Sequence, residues 1–250
     1  IAFRCSFSFE KDYQEGSDYS RILLNFTKIE RYGANPKEYR WIVTSTNGTK
    51  TYYGGDENGV NSEVVIKDAS QNILQWGILK TVDVYGNNIK YQYDNYPIIN
   101  QTGENANLNN GVYFHVKKIL YTGKDDSDGN YSINFERDNT ISRPDISINA
   151  KLGKKIVEPF RLNNIVIKYN DDIIRTYNLE YGVGEFFKTV LLDIIEYDGE
   201  GEFSNQHRFD YYNDLKENQN SPTINFGNDI SIDGGGGSDA FPILPSALKP

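Results

Sequence analysis

The sequence predicts an all-β fold: an antiparallel sheet assembled from successive hairpins. Three observations carry that expectation. Apolar and polar residues alternate with a period of two, as where Ile89, Tyr91 and Tyr93 interleave with Asn88, Lys90 and Gln92. Clusters of Asn, Asp and Gly punctuate the alternating runs and supply turn chemistry. Helical periodicity is scarce, and only Asp68–Gln75 reads as a single helical turn. With 19 Tyr and 13 Phe, the aromatic share also suits half-buried pleated surfaces better than helices.

Each hairpin can be placed in order. Residues 40–55, RWIVTSTNGTKTYYGG, put Asn47-Gly48 between two β-rich arms, and Asn-Gly predicts a type I′ turn. Residues 73–94, ILQWGILKTVDVYGNNIKYQYD, give arms around Gly86-Asn87, with Tyr93-Asp94 closing the second arm. GNYSINFERD (129–138) forms a further strand with Tyr131, Ile133 and Phe135 on one face. Residues 163–182 turn at Asn170–Asp172, with Ile165, Ile167 and Tyr169 on one face and Tyr177, Leu179 and Tyr181 continuing it. Residues 191–212 turn at Asp198-Gly199 or at Glu200-Gly201. Loops rich in Asn, Asp and Gly interrupt at 54–62, 100–110 and 123–130.

Composition limits the functions. A net charge of −9 argues against a general nucleic-acid binder, which needs a basic stripe to displace counterions. Apolar runs are too short for a membrane-spanning helix, so membrane insertion by this segment is not expected. One cysteine, Cys5, excludes an internal disulfide framework and any cysteine-based zinc site in this segment. The absence of Met and of a signal peptide reads as an internal piece of a longer polypeptide. The 250 residues divide into a sheet domain over 1–215 and a Gly/Pro-rich tail over 216–250. That tail, with Gly234–Gly237 and its Phe-Pro and Leu-Pro steps, is either a linker or a docking segment.

The junctions recur. Asp83-Val-Tyr-Gly-Asn87 before Ile89-Lys-Tyr91 resembles the repeated unit of the RHS/YD-repeat superfamily. The order of elements resembles the N-terminal region shared by SpvB-type proteins and the B component of bacterial toxin complexes. The stretches that carry the likeness are Tyr39–Val43 with Asn47–Thr49 and Tyr53-Gly54, and Trp76–Leu79 followed by Asp83 to Tyr93. Further on come Ile119–Gly123, Phe135–Asp138, Arg161–Ile167 with Tyr177–Tyr181, and Leu191–Tyr197 with Phe209–Tyr211. The likeness spans roughly residues 28–214 in order, and no single motif in it is specific. The family's opening Gly-rich strands and its large downstream repeat array are missing from this chain.

No residue stands out as a catalyst, cofactor ligand or metal ligand. His115 sits inside a strand, VYFHVKK, and His207 in a polar stretch; both read as ordinary surface or cross-strand residues. Cys5 lies in an alternating run, CSFSF, and reads as a small buried residue. The loop Lys124–Asn130 fails the EF-hand pattern, since Gly129 at position 6 puts Lys124 at position 1 and Phe135 at position 12. Asp193, Glu196, Asp198, Glu200 and Glu202 offer carboxylates for glycosidase chemistry, but the turn among them reads as solvated. Gly234–Gly237 lacks the Lys-Ser/Thr of a phosphate loop. Trp41 and Trp76 alternate with Val43 and Ile78 and read as packing residues.

The resemblance implies a non-enzymatic wall segment of a hollow β-shell, of the kind that encloses a C-terminal toxic domain and helps deliver it. Its implied partners are the remainder of the same polypeptide, the enclosed domain and other toxin-complex subunits, with no cofactor, and its location is secreted or on the bacterial surface. The aromatic excess supports a different reading, a carbohydrate-binding or adhesive β-module.

Overall fold

The computed structural model describes residues 27–211 apart from Ser142. Contacts divide the chain into two compact units, Ile1–Phe209 and Asp210–Pro250, and the first holds the sheet. The first strands are β1 (Lys28–Tyr32), β2 (Arg40–Thr44), β3 (Lys50–Tyr53), β4 (Gly55–Asp56), β5 (Gly59–Val60), β6 (Val65–Lys67), β7 (Ile73–Trp76) and β8 (Ile78–Val82). Next come β9 (Asn87–Ile98), β10 (Gly111–Lys124), β11 (Tyr131–Arg137), β12 (Ser147–Asn149) and β13 (Ile156–Glu158). The series ends with β14 (Leu162–Tyr169), β15 (Asp172–Val183), β16 (Thr189–Tyr197) and β17 (Phe203–Arg208). Helix is limited to short 3₁₀ turns among the described residues.

The main sheet follows the path β1-β2-β3-β8-β9-β10-β11-β14-β15-β16-β17, antiparallel at every step. Strand β13 joins β10 in parallel at Val112↔Ile156 and pairs β12. Small two-stranded sheets, β4-β5 and β6-β7, leave the path between β3 and β8.

Strict antiparallel succession gives the sheet two different rims. Connections β2–β3, β8–β9, β10–β11, β14–β15 and β16–β17 return at one rim and are short. At the other rim lie the long excursions 54–77, 99–110 and 138–161.

Among the described residues, three turns of the short-turn rim and one inside the 54–77 excursion reuse one piece of chemistry. Gly48 N donates to Ser45 O and Ser45 N to Thr49 O, both at 2.9 Å, with Gly48 at φ 82°. The same pair of bonds closes Asp68–Asn72, Asp83–Asn87 and Asp198–Glu202, with Gln71, Gly86 and Gly201 at φ 69°, 83° and 85°. Asn47 keeps a negative φ, so the expected type I′ turn is instead a type I turn closed by a left-handed residue and a bulge. Asp68–Gln75 makes no helical turn: Asp68–Asn72 is this same turn, joining β6 to β7.

Three further expectations on strands are corrected. ILQWGILK is two strands, not one arm, because Gly77 lets the chain step from the β6-β7 sheet to β8. A Cβ on Gly77 would lie 2.8 Å from the Tyr93 ring and 3.0 Å from that of Phe114, so this crossing requires glycine. Tyr93-Asp94 does not close a strand; β9 continues to Ile98 because β10 pairs with it as far as Gly111. The partner of β16 is Phe203–Arg208 and stops short of the Phe209–Tyr211 stretch.

The main core lies where the long excursions fold over the sheet. Ile98, Leu108, Tyr113 and Val157 are buried together, with Ile141, Ile146 and Phe160 packed against them. Each such side chain contributes about 1.5–3 kcal/mol when fully buried. Val64, Val65, Ile66 and Ile73 bury the root of the β6-β7 hairpin. Trp41 and Trp76 meet edge to face at 5.9 Å, and Trp76 Nε1 donates to Tyr39 O at 2.6 Å, in keeping with packing roles for both.

Candidate functional surface

Residues that face each other across an antiparallel ladder share a side of the sheet, so the registers sort every strand residue onto one of two faces. One face is apolar. A row runs Tyr91–Ile119–Ile133–Ile167. Beside it Tyr121, Tyr131 and Tyr169 follow one another with ring centroids 5.4 and 4.9 Å apart. Phe135, Ile165 and Tyr177 make another row, and Leu179 with Ile194 and Tyr181 with Leu191 continue it toward β17.

The other face is polar over its middle and carries the main core, around Ile98 and Tyr113, at one end. Its rows include Lys80–Lys90–Leu120–Ser132–Lys168 and Gln92–Lys118–Asn134–Val166–Thr176. Lys80 and Lys90 stand directly opposite each other, a repulsive pairing unless each is compensated. Lys80 Nζ lies 3.3 Å from Asp56 Oδ2, and Lys90 Nζ lies 2.5 Å from Asp128 Oδ1. Binary patterning thus segregates apolar and polar side chains onto opposite faces over the middle of the sheet.

From β9 to β16, away from the β6-β7 hairpin, these strands touch chiefly their sheet neighbours. The residues of the apolar face remain half-buried by one another, and Ile89 and Tyr169 are exposed. Six strands at about 4.8 Å spacing and three same-face residues per strand cover roughly 500 Å². A patch of that size is comparable to the largest on an ordinary monomer, and such patches often serve contacts. Burial pushes the phenol pKa values of Tyr91, Tyr93 and Tyr181 up, so these hydroxyls stay neutral at physiological pH.

The sequence-selected residues do not converge. His115 packs on Tyr113 with ring centroids 4.8 Å apart, and burial, then the Arg137 guanidinium, pull its pKa down to about 4. His207 is exposed on β17, at the far side of the path from His115. Asp193 lies on the polar face, where Gln206 Nε2 (2.6 Å) and Arg208 Nε (3.2 Å) bond its Oδ1. Glu196 lies on the apolar face beside Tyr177, with Arg175 Nη1 3.1 Å from its Oε1. Asp193 and Glu196 therefore stand on opposite faces of the sheet. In the 124–130 loop, Lys90 Nζ donates to Asp126 O at 2.8 Å and pairs with Asp128. Among the described residues no three His, Cys, Asp or Glu side chains are grouped to hold a metal. Cys5 and Gly234–Gly237 lie outside the described residues, as does the 216–250 tail.

Comparison with known proteins places the chain in a family and among similar folds. The family model described as "Salmonella virulence plasmid 65kDa B protein", SpvB, matches residues 6–140, more than half of the chain. The chain belongs to the SpvB family. Among solved structures, the N-terminal domain of the effector SpvB from Salmonella typhimurium superposes with a TM-score of 0.57 at 14% identity, covering 76% of this chain and 68% of that one. The Photorhabdus luminescens Tc holotoxin pore carrying a TccC3 mutation gives 0.56 at 13% identity over 72% of this chain. TcdB2-TccC3 without its hypervariable C-terminal region gives 0.56 at 15% over 74%. The chain spans only 10% and 11% of those two longer chains. No curated protein sequence matches it. The SpvB-family fold is thus shared with toxin components, and the mostly antiparallel all-β architecture is common to them.

Proposed function

We propose that this SpvB-family chain is a non-catalytic wall segment of a larger secreted toxin polypeptide, forming part of a β-shell that encloses and helps deliver a C-terminal toxic domain. The observation that carries the reading is the apolar face that runs from β9 to β16, on which Tyr and Ile side chains stay half-exposed, opposite a face that is polar over its middle. Such a sheet is incomplete as a globular core but suits a wall, with one side toward solvent and the other toward an enclosed volume. Family membership and the shared fold of the Tc components support it. The partners are the rest of the same polypeptide and other toxin subunits, and the site of action is outside the producing cell. An adhesive role for the tyrosines is weaker, since they alternate with Ile and Leu on a flat face, without the converging polar groups that orient a sugar.

The test is electron cryomicroscopy and limited proteolysis of the full-length parent polypeptide. A hollow particle with this sheet in its wall and a protease-protected C-terminal region is expected. A C-terminal region cleaved as fast as the free domain would overturn the proposal.

A further inference from the structure

Three Asn-Gly pairs occur in the sequence, at 47–48, 58–59 and 110–111. Asparagine is a chemically labile residue. In such a pair the glycine nitrogen, with no Cβ to shield it, can attack the side-chain carbonyl carbon of the asparagine before it. The fold treats the three pairs differently.

Asn47 is exposed in the β2–β3 turn. Its Oδ1 accepts from Thr49 N at 3.0 Å, which folds the carboxamide back over the Gly48 peptide. Negative charge develops on that oxygen when Gly48 N attacks, and the Thr49 N–H already points at it. The same kind of bond recurs at Asn35, Asn61 and Asn149, with Lys37 N, Glu63 N and Lys151 N as donors. Their successors are Pro36, Ser62 and Ala150. Proline has no N–H to give up, and the other two carry a Cβ beside the nitrogen. Asn58 does precede a glycine, but its carboxamide is bonded to the Asp56 carboxylate, which opposes further negative charge there. Gly111 is buried in β10 and paired with Ile98, and a Cβ on it would lie 2.3 Å from Val157 Cγ2, so its nitrogen is held in place.

We propose that Asn47 is a self-modification site: in the folded chain it closes a cyclic imide with Gly48 ahead of the other two pairs, and the product loosens the β2–β3 turn. The bond from Gly48 N to Asn47 Cγ forms, the Cγ–Nδ2 bond breaks, and Nδ2 leaves as ammonia. The proton of Gly48 N passes to water, and the departing nitrogen takes one from water. A water molecule then opens the ring at either carbonyl, leaving aspartate or isoaspartate. Ring closure removes the Gly48 N–H that donates to Ser45 O, and isoaspartate lengthens the main chain by an atom. The turn has no slack for that atom: a Cβ on Gly48 would lie 2.4 Å from Val84 Cγ1 of the β8–β9 turn.

Peptide mapping by mass spectrometry tests it, on the 250-residue chain held at mildly alkaline pH both folded and in urea. Each pair is read as its folded rate divided by its rate in urea. That ratio is highest for Asn47, and exceeds the Asn110 ratio by at least about tenfold, because Gly111 must first leave its ladder. Amide exchange over residues 45–49 quickens as product accumulates. Thr49→Pro removes the donor to Oδ1 and keeps Gly48, and it slows conversion while the circular dichroism spectrum is kept. Three results would overturn the proposal: a ratio for Asn58 or Asn110 that equals that of Asn47, a folded Thr49→Pro chain that converts at the wild-type rate, or exchange at 45–49 unchanged in the converted protein.

Discussion

Asp83 and Asn87 hold the β8–β9 turn closed through both carboxylate oxygens. Asp83 Oδ1 accepts from Asn87 N at 2.9 Å and Asp83 Oδ2 from Asn87 Nδ2 at 2.7 Å, while Oδ1 also accepts from Tyr85 N at 2.8 Å. Asp68 and Asn72 repeat the arrangement at 2.8 and 2.9 Å. The Asn87 side chain, first among the causes, lowers the Asp83 pKa below its ordinary 3.8. A depressed carboxyl pKa adds stability that is present above the unfolded value and lost as pH falls through the folded one. Asp83→Asn keeps an acceptor but not the charge, so part of the acid-induced loss of stability below about pH 4 disappears in that variant. Urea unfolding at pH 7 and pH 3 measures the difference, and an unchanged pH profile would refute the role.

Gly86 sits in that turn at φ 83°, and a Cβ there would lie 2.4 Å from Asp125 Oδ1. Gly86→Ala combines left-handed strain with a contact the neighbouring loop must relieve. A loss of about 1–2 kcal/mol is expected, read from the urea midpoint. Gly201→Ala has the same φ sign but no neighbour within 4 Å, and costs less.

Much of the sheet was legible in the sequence because period-two alternation and Asx-Gly turns are local signals. The strand faces of Tyr131, Ile133 and Phe135 and of Ile165 and Tyr177 follow directly from alternation. What escaped is set by distant contacts. Gly77 splits an apparently continuous arm because Tyr93 and Phe114 press on it from β9 and β10. Tyr93-Asp94 resembles a strand end, yet β10 keeps pairing beyond it. The layering was hidden for a different reason: alternation tells which residues share a side, not whether another layer covers that side.

The two faces respond differently to truncation. Val166, buried on the polar face, and Ile167, its neighbour on the apolar face, differ in how much surface their removal exposes. Val166→Ala is expected to cost about 1–3 kcal/mol, and Ile167→Ala less than Val166→Ala despite the larger deletion. Binding of a hydrophobic dye to the native protein falls in Ile167→Ala and not in Val166→Ala. Equal dye binding in both variants would show that the apolar face is covered in solution.

Tyr113 is 1% exposed, and its hydroxyl has no hydrogen-bond partner among the described residues. Phe160 stands edge-on at 5.0 Å and Tyr96 at 5.3 Å, so the ring is retained by packing. A buried unsatisfied hydroxyl costs about 1–3 kcal/mol. Tyr113→Phe therefore leaves stability unchanged or raises it, unlike most core substitutions. A clear drop in the thermal midpoint would reveal a partner for the hydroxyl.

His115 makes the last prediction, because burial holds it neutral where an unfolded histidine would be charged. Its ring lies on Tyr113; Arg137 and Arg143 add positive potential, and Asp94 stands opposite on β9. Burial first, then Arg137, lower its pKa from 6.5 to about 4. A lowered base pKa means the unfolded state binds the proton first, so stability falls as pH drops from about 6.5 toward 4 and levels off below that. At 1.36 kcal/mol per pH unit the full loss is roughly 3 kcal/mol, an upper bound for a ring not wholly shielded from water. The lowered carboxyl pKa values of Asp56, Glu57, Asp68, Asp83 and Asp145 act below about pH 5, which leaves the window between 6.5 and 5 chiefly to histidine. His115→Gln should flatten the stability profile across that window in urea titrations at pH 7.5, 6 and 5. A wild-type profile already flat there would place His115 in contact with solvent.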